Sequence, residues 1–68
     1  MTRIEAATVF AAPNAFAEVF PGISISKLER NRSGKVAARP FKVFCNGAVM
    51  GALESFDAAY EKAQGLVV

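Results

Sequence analysis

The sequence predicts a small α+β domain spanning residues 1–68, with an N-terminal helical segment, a three-stranded antiparallel sheet and a C-terminal helix. Three observations predict it. Ile23-Ser24-Ile25-Ser26-Lys27 alternates apolar and polar residues, the period-two pattern of a half-buried strand. Cys45-Asn46-Gly47-Ala48 sets Asn-Gly between two apolar runs, the strongest short-range signal for a tight hairpin. Behind Ser55, the residues Phe56, Ala59, Tyr60 and Ala63 recur at helical spacing.

Taken in order, Thr2-Arg3-Ile4-Glu5 has capping-box spacing, a hydroxyl and a carboxylate three apart that satisfy two free amide donors. Residues 6–11 continue that helix, although Thr8-Val9-Phe10 suits a strand equally well. Pro13 interrupts and opens a second short helix, in which Phe16, Val19 and Phe20 form an apolar stripe; Pro21-Gly22 ends it. The first strand follows, then a polar turn, Asn31-Arg32-Ser33-Gly34-Lys35. A second strand runs from about Ala37 or Phe41 to Cys45, with Pro40 at its edge or at a bulge. Pairing across Asn46-Gly47 puts Phe41, Val43 and Cys45 on one face with Ala48, Met50 and Ala52. Lys42 and Phe44 then share the other with Val49, Gly51 and Leu53. One face packs on the C-terminal helix through Phe56 and Tyr60. The second is not polar, and the N-terminal segment is expected to cover it through Phe16 and Phe20, a second protein being the alternative. Ser55 is an N-cap, Asp57 and Lys62 suit the helix dipole, and Gly65 stands where a left-handed C-terminal cap would.

Composition narrows the function. Apolar residues make up 53% of the chain and the mean hydropathy is +0.29, more than a core this small readily hides. The surplus points to a homodimer or a partner surface, unless the thirteen alanines account for it. With one cysteine, Cys45, and no histidine, an internal disulfide is impossible and a reducing, cytoplasmic setting fits best. The same lack excludes histidine-based nucleophilic dyads and triads, and it leaves no credible zinc set; neither metal nor cofactor is expected. Glu54 and Asp57 are three apart, but such carboxylates at a helix start usually answer the dipole rather than catalyse. Cys45 lacks a basic activator and suits core packing. Ser33-Gly34-Lys35 has one glycine and no helix behind it, so it makes no phosphate loop. Glu5 interrupts the apolar start that a secretory leader would need, and no apolar run approaches the roughly 18 residues of a membrane span. No enzyme signature is visible.

What remains is charge. Lys27, Arg30, Arg32, Lys35, Arg39 and Lys42 lie within sixteen positions, opposed there only by Glu29, so this stretch carries +5 while the other 52 residues carry −3. A hairpin gathers such residues along one rim, where they suit the phosphates or major groove of a nucleic acid; arginine adds bidentate geometry. Alternatively they are a solvated edge that discourages sheet-to-sheet aggregation, and the isoelectric point near 9.0 is modest for a nucleic-acid domain.

Over about residues 22–64, the order of three strands and a helix, with Gly34-Lys35 in the turn and Gly51 before the helix, resembles sheet-type DNA-binding domains such as integrase arm-binding domains. It is similar too to small phage-encoded inhibitors of bacterial defence, anti-CRISPR proteins among them, which are often lone sheet-plus-helix domains of this size. Neither resemblance transfers any residue. The expectation is a non-enzymatic binding module whose basic hairpin contacts nucleic acid or a nucleic-acid-handling complex; the alternative is a protein-binding inhibitor or adaptor acting through an apolar surface.

Overall fold

The computed structural model describes residues 1–67. Its elements are α1 (Arg3–Val9), β1 (Asn14–Phe20), β2 (Ile23–Leu28), β3 (Phe41–Cys45), β4 (Ala48–Leu53) and α2 (Phe56–Gly65). The four strands form an antiparallel meander in the order β1-β2-β3-β4. Both helices lie against the same face, where Phe10, at the end of α1, meets Phe41 of β3 and Phe56 of α2.

The α+β class and the sheet-then-helix order hold, but the sheet has four strands rather than three. The second helix predicted for residues 13–20 is strand β1, which pairs antiparallel with β2 from Asn14↔Leu28 to Phe20↔Ile23. The stripe of Phe16, Val19 and Phe20 is an accident of a bulge. Ala15, Ala17 and Val19 alternate toward the helices, while Phe16 and Glu18 point the other way. Val19 then has no partner in the ladder, so Phe20 falls back onto the covered side, where its ring meets Tyr60. Ladder hydrogen bonds to β2 override the helical preference of an alanine-rich segment.

Local signals at the other elements hold. Thr2 and Glu5 form the capping box of α1, and the Ser55 hydroxyl caps α2 by accepting from the Ala58 amide. Asn46 (φ 51°) and Gly47 (φ 86°) both occupy the left-handed region that a type I′ turn requires. Pro21-Gly22, with Gly22 at φ 77°, makes the β1–β2 turn in the pattern of a type II turn. Gly65 is not a left-handed cap: α2 closes through a tight last turn in which the Leu66 amide donates to the Ala63 carbonyl, with Leu66 in right-handed geometry.

β4 also carries one extra residue. Phe44 pairs with Val49 but Val43 pairs with Gly51, leaving Met50 unpartnered. The predicted faces therefore hold next to the turn and invert beyond it, so Gly51 and Leu53 join the covered face and Ala52 the other. On the covered face a single cluster of buried residues gathers Val19, Ile23, Ile25, Phe41 and Val43 from the sheet with Ala6, Phe10, Ala59, Tyr60 and Ala63. Fully burying side chains such as Ile25 and Val43 stabilises by about 1.5–3 kcal/mol each. Above them, Phe10, Phe41, Phe56 and Tyr60 meet through edge-on, tilted and stacked ring contacts. Arg3 ties the helices together, its guanidinium 2.8 Å from the Asp57 carboxylate and over the Tyr60 ring. Neither helix covers the opposite face. Phe16 stands there 68% exposed, so the predicted cover by the N-terminal segment is absent.

Candidate nucleic-acid interface

Beyond Leu28 the β2–β3 ribbon continues as an arm, residues 29–40, at the end of the sheet opposite both hairpin turns. Leu28 donates to the Pro40 carbonyl, Ala37 to that of Glu29 and Asn31 to that of Lys35, and Arg30 bridges Val36. The tip is tied by one side chain: Asn31 Oδ1 accepts from the Ser33 amide, the Ser33 hydroxyl and the Lys35 amide at 2.8–3.1 Å. Gly34 turns the chain at φ 80° and its amide donates to the Asn31 carbonyl. A polar stretch thus becomes a hydrogen-bonded loop that holds out its charged residues.

Of the six basic residues singled out from the sequence, the fold gathers five and separates one. Arg32 and Lys35 are exposed at the tip, and Arg30, which donates to the Gly34 carbonyl at 2.8 Å, is exposed in the arm. Arg39 is exposed where the arm returns, and Lys42 points out of the uncovered face. Lys27 lies on the helix side. Its ammonium donates to the Phe10 carbonyl at 2.9 Å, at the C-terminal end of α1, and sits 5.5 Å from the centre of the Phe41 ring. A cation there complements the helix dipole and an aromatic face, which is a packing role.

Among the described residues the five gathered cations have no ionic partner, and the one ion pair is Arg3–Asp57, far along the chain from the arm. Arg30, Arg39 and Lys42 border a hollow of about 270 Å³ on the uncovered face, floored by Ser26, Leu28 and Pro40.

That face was not legible as a site. Across all four strands its rows run Phe16, Ser26, Lys42, Ala52 and then Glu18, Ser24, Phe44, Val49. Phe16 and Phe44 stand diagonally across β2, ring centres 6.5 Å apart, over a strand that contributes only serines between them. Leu28 and Val49 extend the apolar surface. The alternation Ala15-Phe16-Ala17-Glu18-Val19 was the available signal, obscured because alanine is a weak marker of either face. For Lys27, its parity with Ile23 and Ile25 was enough to place it on the apolar side.

No three His, Cys, Asp or Glu side chains among the described residues come together as a metal site would require, and no described helix is long and apolar enough to cross a membrane. No protein-family model, curated protein or solved structure matches the chain. The likenesses drawn from residues 22–64 rest on three strands, and β1 adds a fourth to that order.

Proposed function

We propose that this protein is a non-enzymatic binding module whose β2–β3 arm contacts the phosphates of a nucleic acid. The observation that carries the reading is the group of five exposed cations, Arg30, Arg32, Lys35, Arg39 and Lys42, without a carboxylate partner among the described residues. Surface charges that serve only solubility are usually interspersed with the opposite sign, and a cluster left unneutralised raises the local concentration of polyanions. A preformed loop also lowers the ordering cost of each contact.

About five phosphate contacts correspond to a slope of log affinity against log salt of roughly −4.5 for a duplex. Charge reversal of Arg32 and Lys35 to glutamate should weaken binding well over tenfold and flatten that slope, read by fluorescence anisotropy of a labelled oligonucleotide across a salt series. Absence of binding at low salt leaves the arm a solvated edge.

The competing reading, an inhibitor or adaptor that captures another protein, has its own observation in the exposed apolar residues Phe16, Leu28 and Val49 of the uncovered face. It predicts that oligonucleotides do not compete for the captured protein.

A further inference from the structure

We propose that the uncovered sheet face binds the bases of a single-stranded nucleic acid, with Phe16 and Phe44 as stacking surfaces and Lys42, Arg30 and Arg39 on the adjoining phosphates. The inference rests on the reading of the arm as a phosphate-binding element and adds what that element binds.

Three features of the face converge on this occupant. First, Phe16 is far more exposed than folding requires, and Phe44 is only partly buried although its neighbours in β3, Phe41 and Val43, are sealed in the core. Both rings rise over Ser24 and Ser26, whose short side chains leave a shallow floor and whose hydroxyls make no hydrogen bond among the described residues. Flat aromatic rings on a sheet accept any base with an open π face, and a serine hydroxyl donates to or accepts from a base edge. Second, the charge is complementary. Lys42 lies in the same row as Phe16, and Arg30 and Arg39 border the hollow beside Leu28, so a backbone leaving the rings runs directly onto cations. Glu18 is the one carboxylate in the paired rows, and its oxygen already accepts from the Gly22 amide at 3.2 Å. Third, the alternatives fit less well. A duplex hides its base faces inside the stack, where side chains on a flat sheet do not reach. A second copy packed isologously would enclose Lys42, Arg30 and Arg39 of both protomers in one interface, six cations with two Glu18 carboxylates from the paired rows to offset them.

The test compares a fifteen-nucleotide oligo-dT, an oligo-U of equal length and a duplex of mixed sequence, by anisotropy over a salt series. The single strands should bind more tightly than the duplex at equal salt, with the DNA and RNA arms showing which sugar is preferred. Phe16→Ala should lower single-strand affinity about five- to hundredfold, the range for losing one stacked base, while leaving the salt slope and duplex binding unchanged. Phe44→Leu, which keeps apolar area but removes the π face, should act in the same direction. The chain has no tryptophan, so Phe16→Trp provides a sole indole whose fluorescence a stacked base quenches. Failure is informative at each level. If duplex and single strands bind alike and Phe16→Ala changes neither, base stacking is overturned while the arm reading stands. If nothing binds at low salt, both fall. If Phe16→Ala instead dissociates a dimer in sedimentation and leaves oligonucleotide affinity intact, the face belongs to a second copy and the proposal is wrong.

Discussion

On one face of the sheet, β2 and β3 present Ile23, Ile25, Phe41 and Val43, all buried; on the other, the same two strands present Ser24, Ser26, Lys42 and Phe44. The backbone hydrogen bonds are shared, so the contrast comes from strand parity alone. Even the cations divide this way. Lys27 is spent on the Phe10 carbonyl, whereas Lys42, one strand over on the opposite side, faces solvent. A chain this small can thus hold stability and recognition in alternate residues of the same strand, and a variant should disturb one without the other.

The most severe way to probe the covered face is Ile25→Ala. Ile25 is fully buried, and truncating such a residue costs about 2–5 kcal/mol, a large share of a small domain's stability. Chemical denaturation should show the midpoint falling sharply, while Phe16→Ala on the open face should stay within about 0.5 kcal/mol of the parent. Equal losses at the two positions would mean that the open face is also a core.

Next in size is the turn that sets the register of both faces. Gly47 sits at φ 86° with open space around its Cα, so valine there meets backbone strain rather than a clash, about 1–3 kcal/mol. Thermal melting should fall by several degrees or more. A variant that melts like the parent would break the face assignment from which the comparison starts.

The two lysines sharpen the contrast directly. Lys27→Met should cost about 1 kcal/mol of stability, from the lost charge-assisted hydrogen bond at the end of α1, and leave oligonucleotide affinity unchanged. Lys42→Ala should do the reverse, weakening binding without moving the melt. The smallest effect is a pH dependence. The Thr2 amide, which donates to the Glu5 carboxylate, and the Thr2 hydroxyl hold the Glu5 carboxyl below its ordinary range. Because the folded-state value is depressed, this contribution is complete above the ordinary carboxylate range and fades as pH falls through the depressed value. Glu5→Gln should remove a shallow component from the acid side of a melting-versus-pH curve and change little near neutrality.

Signals that depend on one local backbone preference were legible in the sequence: Asn46-Gly47, the Thr2 and Ser55 caps, and the alternation of β2. What escaped was decided across strands. The unpaired Val19 disguised β1 as a helix, and the unpaired Met50 inverted the faces of β4 beyond the turn, because a bulge is defined by the partner strand and leaves no fixed mark on its own residues. The candidate site divides along the same line. Charge density pointed to the arm, and five of the six cations are exposed on or beside it. The aromatic half of the site was hidden with the strand that carries Phe16.

The bulge at Met50 also bears on how this chain tolerates changes in length. Losing one residue from a strand ordinarily rotates everything beyond the gap onto the wrong side of the sheet. Here the hairpin is one residue longer than its ladder needs, because Phe44↔Val49 and Val43↔Gly51 are consecutive pairs that skip Met50. Excising Met50 would close the ladder into regular alternation, with Gly51, Ala52 and Leu53 still facing as they do now. At that one position of β4, a single-codon deletion is a quieter change than many substitutions nearby.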